Sequence, residues 1–182
     1  MSFEVQKMCG NLSGKNNIEL EAVAKVDYNT DIRKEKINKM KSEEMKKCTV
    51  ENGKEAPSVD AWLKEAKALQ GAGKNGMFLV HNGVVRETAK AKVRQGERDT
   101  KPVNGMNFSY DRLKVEAIMS ETYKMEGIFH IRVWLNEGLL QVGDDIMYVL
   151  IGGDIRPHVV DALQYLVGRI KNECVVETEL YE

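Results

Sequence analysis

The sequence is poor in cysteine, proline and aromatic residues: three Cys, three Pro and 7% Phe, Trp and Tyr in 182 residues. Cys9, Cys48 and Cys174 are odd in number, far apart and without a C-x-x-C pair. That spacing speaks against a disulfide framework or a closed zinc site, and neither a metal nor a cofactor is expected. Charge of one sign is also lacking, because 27 basic and 28 acidic side chains leave a net charge of −1. The chain as a whole therefore offers no electrostatic reason to bind nucleic acid. No run approaches the roughly 18–20 apolar residues of a membrane span, and the N-terminus has no apolar core of a signal peptide. A soluble, cytoplasmic protein with no membrane partner is the expectation. What is present is 42% hydrophobic residues, enough to build a core, in a length that suits one domain with a terminal arm.

Composition divides the chain. Residues 1–56 form a Lys-rich N-terminal extension, in which Arg33–Lys47 carries seven basic and three acidic residues but only Ile37, Met40 and Met45 as apolar members. That is too sparse for a buried stripe, so the segment reads as a solvated helix or arm. A basic arm on an unrelated module that touches nucleic-acid phosphates is the competing reading, and no aromatics interleave to support it. Pro57 closes the segment, and ordered structure is expected to begin just after it, giving a domain over 57–182.

Regular signals follow. Ser58 suits a helix N-cap with Asp60 in the first turn, and Trp62, Ala66 and Leu69 recur at helical spacing. Residues 76–85 (GMFLVHNGVV) read as a strand, 87–105 as a long polar loop with five basic residues, and 106–109 as a short strand. Such a loop is usually functional or disordered. A helix is predicted over roughly 110–125, with Val115, Ile118, Met119 and Thr122 on one face. Residues 128–135 alternate: Phe129, Ile131, Val133 and Leu135 face one way, His130, Arg132 and Trp134 the other, as in a half-buried strand. His130 is thereby expected on an outward face. A turn at 143–145, a strand over 146–151, a helix opened by Pro157 and a closing strand over 174–180 complete the order. The sum is an α+β domain, with helices on one face of a mixed or mostly antiparallel sheet.

Several familiar motifs fail. Gly71-Ala72-Gly73-Lys74 lacks both outer residues of a P-loop, since position 68 is Ala and position 75 is Asn. No nucleophile elbow exists, and His81, His130 and His158 have no metal-ligand spacing. What remains is a set of cations ending apolar elements: Arg86, Arg156 and Lys171. If the strands ahead of Arg86 and Arg156 run parallel as neighbours, both arginines reach one sheet edge and suit an anionic ligand.

Three stretches resemble a known family. Gly76–Val80 through Gly83-Val84-Val85-Arg86 is similar to a strand ending in Gly-x-Val-Arg. Residues 137–146 (EGLLQVGDDI) are similar to a Gly-x-Leu-x-x-Gly-Asp/Glu hairpin. Ile155-Arg156 through Ala162 to Ile170-Lys171 is similar to a His-Arg pair followed by an amphipathic helix ending in Leu-Lys. Together they resemble the large, catalytic subunit of molybdopterin synthase, with an α/β-hammerhead type of α+β fold, over residues 57–180.

The resemblance implies a homodimer, and a heterotetramer once each protomer binds a small ubiquitin-like subunit. That subunit's Gly-Gly C-terminus carries a thiocarboxylate whose sulfur goes to cyclic pyranopterin monophosphate in molybdenum cofactor biosynthesis. Arg86 and Arg156 match substrate-site arginines, and Lys171 matches a catalytic lysine. Two positions depart from the pattern. The family's His is Ile155 here, and Thr178, beside Glu177, stands where a second active-site lysine is expected. One lost charge-assisted contact is worth about 1.5–3 kcal/mol. Either a cation from the basic loop (Lys90, Lys92, Arg94, Arg98 or Lys101) fills in, or the chain is a relative that binds a pterin phosphate or a ubiquitin-like partner without catalysis.

Overall fold

A computed structural model describes Ser42, residues 46–52 and residues 55–181. Most of the basic run at 33–47 lies outside the described residues. The strands are β1 (Cys48–Asn52), β2 (Met77–Val84), β3 (Val103–Tyr110), β4 (Ile128–Leu135), β5 (Gly138–Gln141), β6 (Asp145–Gly153) and β7 (Val175–Tyr181). The helices are α1 (Val59–Ala68), α2 (Lys90–Gln95), α3 (Arg112–Tyr123) and α4 (Arg156–Arg169), with a 3₁₀ turn at Ala72–Lys74 and a π-helical turn at Ile170–Cys174. One sheet has the order β1-β4-β6-β2 and the other β5-β3-β7. Among the described residues only the β1–β4 pairing is parallel; β2–β6, β4–β6, β3–β5 and β3–β7 are antiparallel. This is an α+β fold.

Local chemistry sets the helix ends. Ser58 Oγ accepts from the Ala61 N–H at 3.3 Å, and an Asp111 carboxylate oxygen accepts from the Lys114 N–H at 3.2 Å. Each satisfies one orphan donor of a first helical turn. Pro157 sits in the first turn of α4, where its missing N–H leaves no intrahelical bond unmade.

The first sheet is covered on both faces, not on one as the sequence suggested. On one face Ile131, Val133 and Leu135 of β4 and Val149 and Ile151 of β6 share a core with Val115, Ile118 and Met119 of α3 and Val159, Ala162 and Leu166 of α4. On the other, Trp62 and Ala66 of α1 pack on Trp134 and Leu150. Each large apolar side chain so buried contributes roughly 1.5–3 kcal/mol. The α1 cover also corrects the reading of His130, which is only 3% exposed. The polar-looking face of β4 is an interior face.

Strand β1 stands ahead of Pro57, so the sheet begins within the segment set apart by composition. An ion-pair cluster fixes it there. Arg132 of β4 meets Glu51 of β1 and, at 2.6 Å, Glu65 of α1, and its guanidinium lies 4.8 Å from the centre of the Trp62 ring. Planar guanidinium stacks on an aromatic face while its N–H groups bind carboxylates, so one side chain ties three elements together.

Gly152 and Gly153 do not end β6 early; they let both layers approach it. A Cβ at Gly152 would stand 2.5 Å from the Phe78 ring, and one at Gly153 would stand 2.6 Å from a Val159 methyl.

Candidate active site

Arg86 follows β2 directly and is held by its neighbours. Val85 is 1% exposed, donates its N–H to the Asp144 carbonyl at 2.9 Å and accepts from the Gly143 N–H at 2.8 Å. The strand end is thus bonded to the Gly143-Asp144 turn. Arg86 itself is exposed and donates from Nε to the Thr88 carbonyl at 2.9 Å, which leaves the terminal guanidinium nitrogens for a ligand.

Lys171 lies in the π-helical turn after α4 and is half-buried. Helix α4 starts beyond the end of β6 and packs back along β6 and β2. It returns Lys171 to the neighbourhood of His81, fifth residue of β2, in the half of the strand that leads to Arg86. His81 has its pKa lowered, first by burial and then by the Lys171 charge, and its Nε2 is buried with no hydrogen-bond partner among the described residues. The turn itself is clamped. Arg169 donates from Nε and Nη2 to the two Glu173 carboxylate oxygens at 2.7 and 2.8 Å and also reaches Glu121 and the Tyr165 hydroxyl. That bidentate pair lowers the Glu173 pKa from its ordinary value. It brackets Lys171 in sequence, and π turns of this kind recur at functional sites.

Arg156 is elsewhere. Strands β2 and β6 are neighbours, as expected, but antiparallel: Met77 pairs with Gly153 and Val84 with Asp145. Arg156 follows the Gly153 end and Arg86 the Val84 end, so within one chain they do not share an edge. Beside Arg156, Ile155 is exposed at 52%, and the nearby histidine, His158, is paired with Asp154 at 2.8 Å. This contact, with the Ile155 N–H donated to Asp154, lowers the Asp154 pKa. Among the described residues Arg156 has no ion pair.

The position of the expected second lysine is also resolved. Thr178 is exposed on β7, while Glu177 and Glu179, its neighbours on either side, point to the opposite face. There they engage Lys90: its ammonium meets Glu177 at 3.2 Å, and its backbone N–H meets the Glu179 carboxylate at 2.8 and 3.1 Å. Lys90 is therefore spent on carboxylates on the far face from Thr178, and it does not supply the missing charge.

No three metal-ligating side chains converge among the described residues, and no described helix is long and apolar enough to cross a membrane.

The family model described as "MoaE protein" matches residues 52–173. The chain belongs to the MoaE family. This is the family of molybdopterin synthase large subunits, and the chain is a divergent member of it. Molybdopterin synthase from Staphylococcus aureus has a similar structure, with 17% identity and a TM-score of 0.55 over 76% of this chain and 93% of that one. The MoaE protein of Burkholderia ambifaria MC40-6 has 16% identity and a TM-score of 0.56 over 74% and 86%. A complex of subunits 1 and 2 of molybdopterin-converting factor from Helicobacter pylori 26695 has 15% identity and a TM-score of 0.53 over 73% and 85%. At these identities the likeness is one of fold. No curated protein matches the sequence.

Within this MoaE chain the match ends before β7, so the substitutions at Glu177 and Thr178 lie beyond it. Of the three cations singled out in sequence, two are carried by elements that run together, β2 and α4, and the third opens α4 at its other end. His81 was missed, because a search for metal spacing and nucleophile pairs passes over a lone histidine. The available signal was its register: it follows Met77 and Leu79 at a period of two, so an ionisable side chain sits on an apolar face.

Proposed function

We propose that this chain is the large subunit of a molybdopterin synthase, transferring sulfur from a thiocarboxylated small subunit to cyclic pyranopterin monophosphate. The observation that carries the reading is that Lys171 acts electrostatically on His81 of β2, the strand that leads to Arg86, in a chain of the MoaE family. Arg86 offers guanidinium nitrogens to the cyclic phosphate, and bidentate contact both binds and orients it. Lys171, half-buried and in a fixed turn, offers a point charge where the thiocarboxylate meets the pterin. A cation set in place before reaction stabilises charge as it develops.

Arg156 joins this site only if a second copy of the chain delivers it. A symmetric homodimer, with the Arg156 end of one copy against the Arg86 end of the other, meets that requirement twice. Binding of one ubiquitin-like small subunit to each protomer then gives a heterotetramer in the cytoplasm. The complex from Helicobacter pylori supports a two-subunit assembly.

One observation favours a second reading, a relative that binds the pterin phosphate or the Gly-Gly tail without transferring sulfur. Thr178 replaces a lysine and Lys90 is engaged by Glu177. The deciding experiment is turnover with a thiocarboxylated small subunit and the cyclic pyranopterin. Dithiolene formation by the wild-type chain and its loss in Lys171→Ala establishes the first reading. Binding of both ligands without product establishes the second.

A further inference from the structure

Strand β2 lies at the outer edge of the first sheet, and among the described residues no strand pairs with its far side. An open edge presents unpaired N–H and C=O groups to any other strand, and proteins blunt such edges with brevity or charge. The other three edges are blunted. Strand β1 has five residues and carries Glu51, β5 has four residues, and β7 carries Glu177 and Glu179. Strand β2 is neither short nor charged. It has eight residues, and Met77 to Val85 holds no Asp, Glu, Lys, Arg or Pro in a chain that is 30% charged. Its histidine, His81, is kept neutral by burial and by the Lys171 charge. A long apolar edge of this kind calls for a specific partner that closes it.

The two ends of β2 complement each other. Phe78 and Val80 pack on the α1 side and Met77 and Leu79 on the α4 side, so by alternation Val84 stands on the α1 side, where it is 45% exposed. At the other end of the strand, on that same side, is an open groove of about 530 Å³. Leu63 and Lys67 of α1 line it, with Gly76, Met77 and Phe78. One end thus offers an apolar knob and the other an apolar-walled recess. A two-fold interface needs this, because the same patch must complement itself.

We propose that the open edge of β2 is the homodimer interface, pairing antiparallel with β2 of a second copy about a two-fold normal to the sheet and centred on Val80. This rests on the two-chain site proposed above and names the surface that builds it. Val80 is the middle residue of Met77–Gly83, over which the β2–β6 ladder runs without a slip. Centred there, Val84 of each copy faces Gly76 of the other, beside the groove.

The same pairing gathers the arginines. Strand β6 of the second copy is antiparallel to its own β2 and so runs parallel to the first β2, two strand spacings or about 10 Å away. Met77 of the second copy stands opposite Gly83 of the first, and it pairs with Gly153 of its own chain. Arg86 lies three residues beyond Gly83, and Arg156 lies three residues beyond Gly153. The two arginines therefore leave one sheet edge side by side, once at each end of the interface. The parallel arrangement expected within one chain arises between two.

The test is the oligomeric state of the full chain and of charge variants on the axis, by sedimentation equilibrium with circular dichroism as the check on folding. The wild-type chain is expected to be a dimer. Val80 of the two copies are cross-strand neighbours, where like charges repel and opposite charges attract. Val80→Lys and Val80→Glu are each expected to lose the dimer, and an equal mixture of the two to regain it. Val84→Lys, at an exposed position, is expected to weaken the dimer with an unchanged spectrum, and it decides the matter if the Val80 variants fail to fold. None of these readouts needs turnover, so a dimer of this kind that transfers no sulfur leaves the interface standing. A wild-type monomer, a dimer indifferent to Val84→Lys, or folded Val80 variants that stay monomeric when mixed would each overturn it. So would a monomer whose β2 amides gain protection from hydrogen exchange only when the small subunit is added, which would give the edge to that partner.

Discussion

Arg86 and Arg156 terminate opposite ends of one antiparallel strand pair, β2 and β6. The pair runs over eight registered residue pairs, and at about 3.3 Å per residue no arginine side chain spans that length. Two arginines that serve one phosphate must then come from two chains.

This relationship has a direct test by mixing variants. Arg86→Ala and Arg156→Ala homodimers are each expected to lack most of their activity. Randomly reassorted mixtures contain dimers in which one site carries both mutations and the other carries neither. Activity should rise to about a quarter of the wild-type value, the fraction of intact sites in an equal mixture of a symmetric dimer. A mixture no more active than its parents would leave Arg156 outside the site.

Lys171 is expected to act mainly on the transition state. Lys171→Ala should lower kcat by about 10²–10³-fold while KM changes little, the signature of an interaction made only as charge develops. Glu173→Gln breaks the clamp with Arg169 without touching the lysine. It should lower kcat by about tenfold through mispositioning and leave binding of the small subunit intact. Single-turnover sulfur transfer and separate binding measurements distinguish the two effects.

The elements most legible in sequence were those whose signal is local. Ser58 with Trp62 and Ala66 marks α1, Pro157 marks the first turn of α4, and the alternation over 128–135 coincides with β4. Pairing direction is not local. Nothing in the periodicity of β2 and β6 says whether they run together or opposed, and the placement of Arg156 depended on that alone. The burial of His130 was equally illegible, because its cover, α1, comes from more than sixty residues away in sequence. Strands β1 and β5 are short, and β1 lies in a polar segment where composition outweighs pattern. The π-helical turn, which carries Lys171, has no sequence signature in this helix.

His130 also sets an acid dependence. Its folded pKa of about 4 lies below the ordinary value of 6.5, so the unfolded chain binds the proton more readily. Stability from the neutral ring is full above pH 6.5 and is lost as the pH falls toward 4, in total by roughly 3 kcal/mol at most. His130→Leu removes this contribution to the slope. Urea unfolding across that pH range should show a flatter profile for the variant; parallel profiles would mean that the ring titrates normally in the fold.

The segment read from sequence as a polar loop over 87–105 instead carries α2 and runs into β3 at Val103, and its remaining loop is tethered at one end. Its α2 begins under the Glu179 carboxylate, which receives the first helical N–H, while Lys90 meets Glu177. A carboxylate at that position satisfies an orphan donor and opposes the helix dipole, so residues 90–95 have a reason to hold their amides without ligand. Beyond Gly96, which takes a left-handed φ of 74°, Arg98 is exposed and has no such cap. If the loop closes over the cyclic phosphate, amides at 96–102 should gain protection from hydrogen exchange when the pyranopterin is added, and those of α2 should change little. Glu179→Ala should raise exchange at 90–95 in the free chain and leave the core strands β4 and β6 unaffected. Identical protection at 96–102 with and without ligand would make the loop a bystander, and its three central cations, Lys92, Arg94 and Arg98, would then be solvated charges with no part in binding.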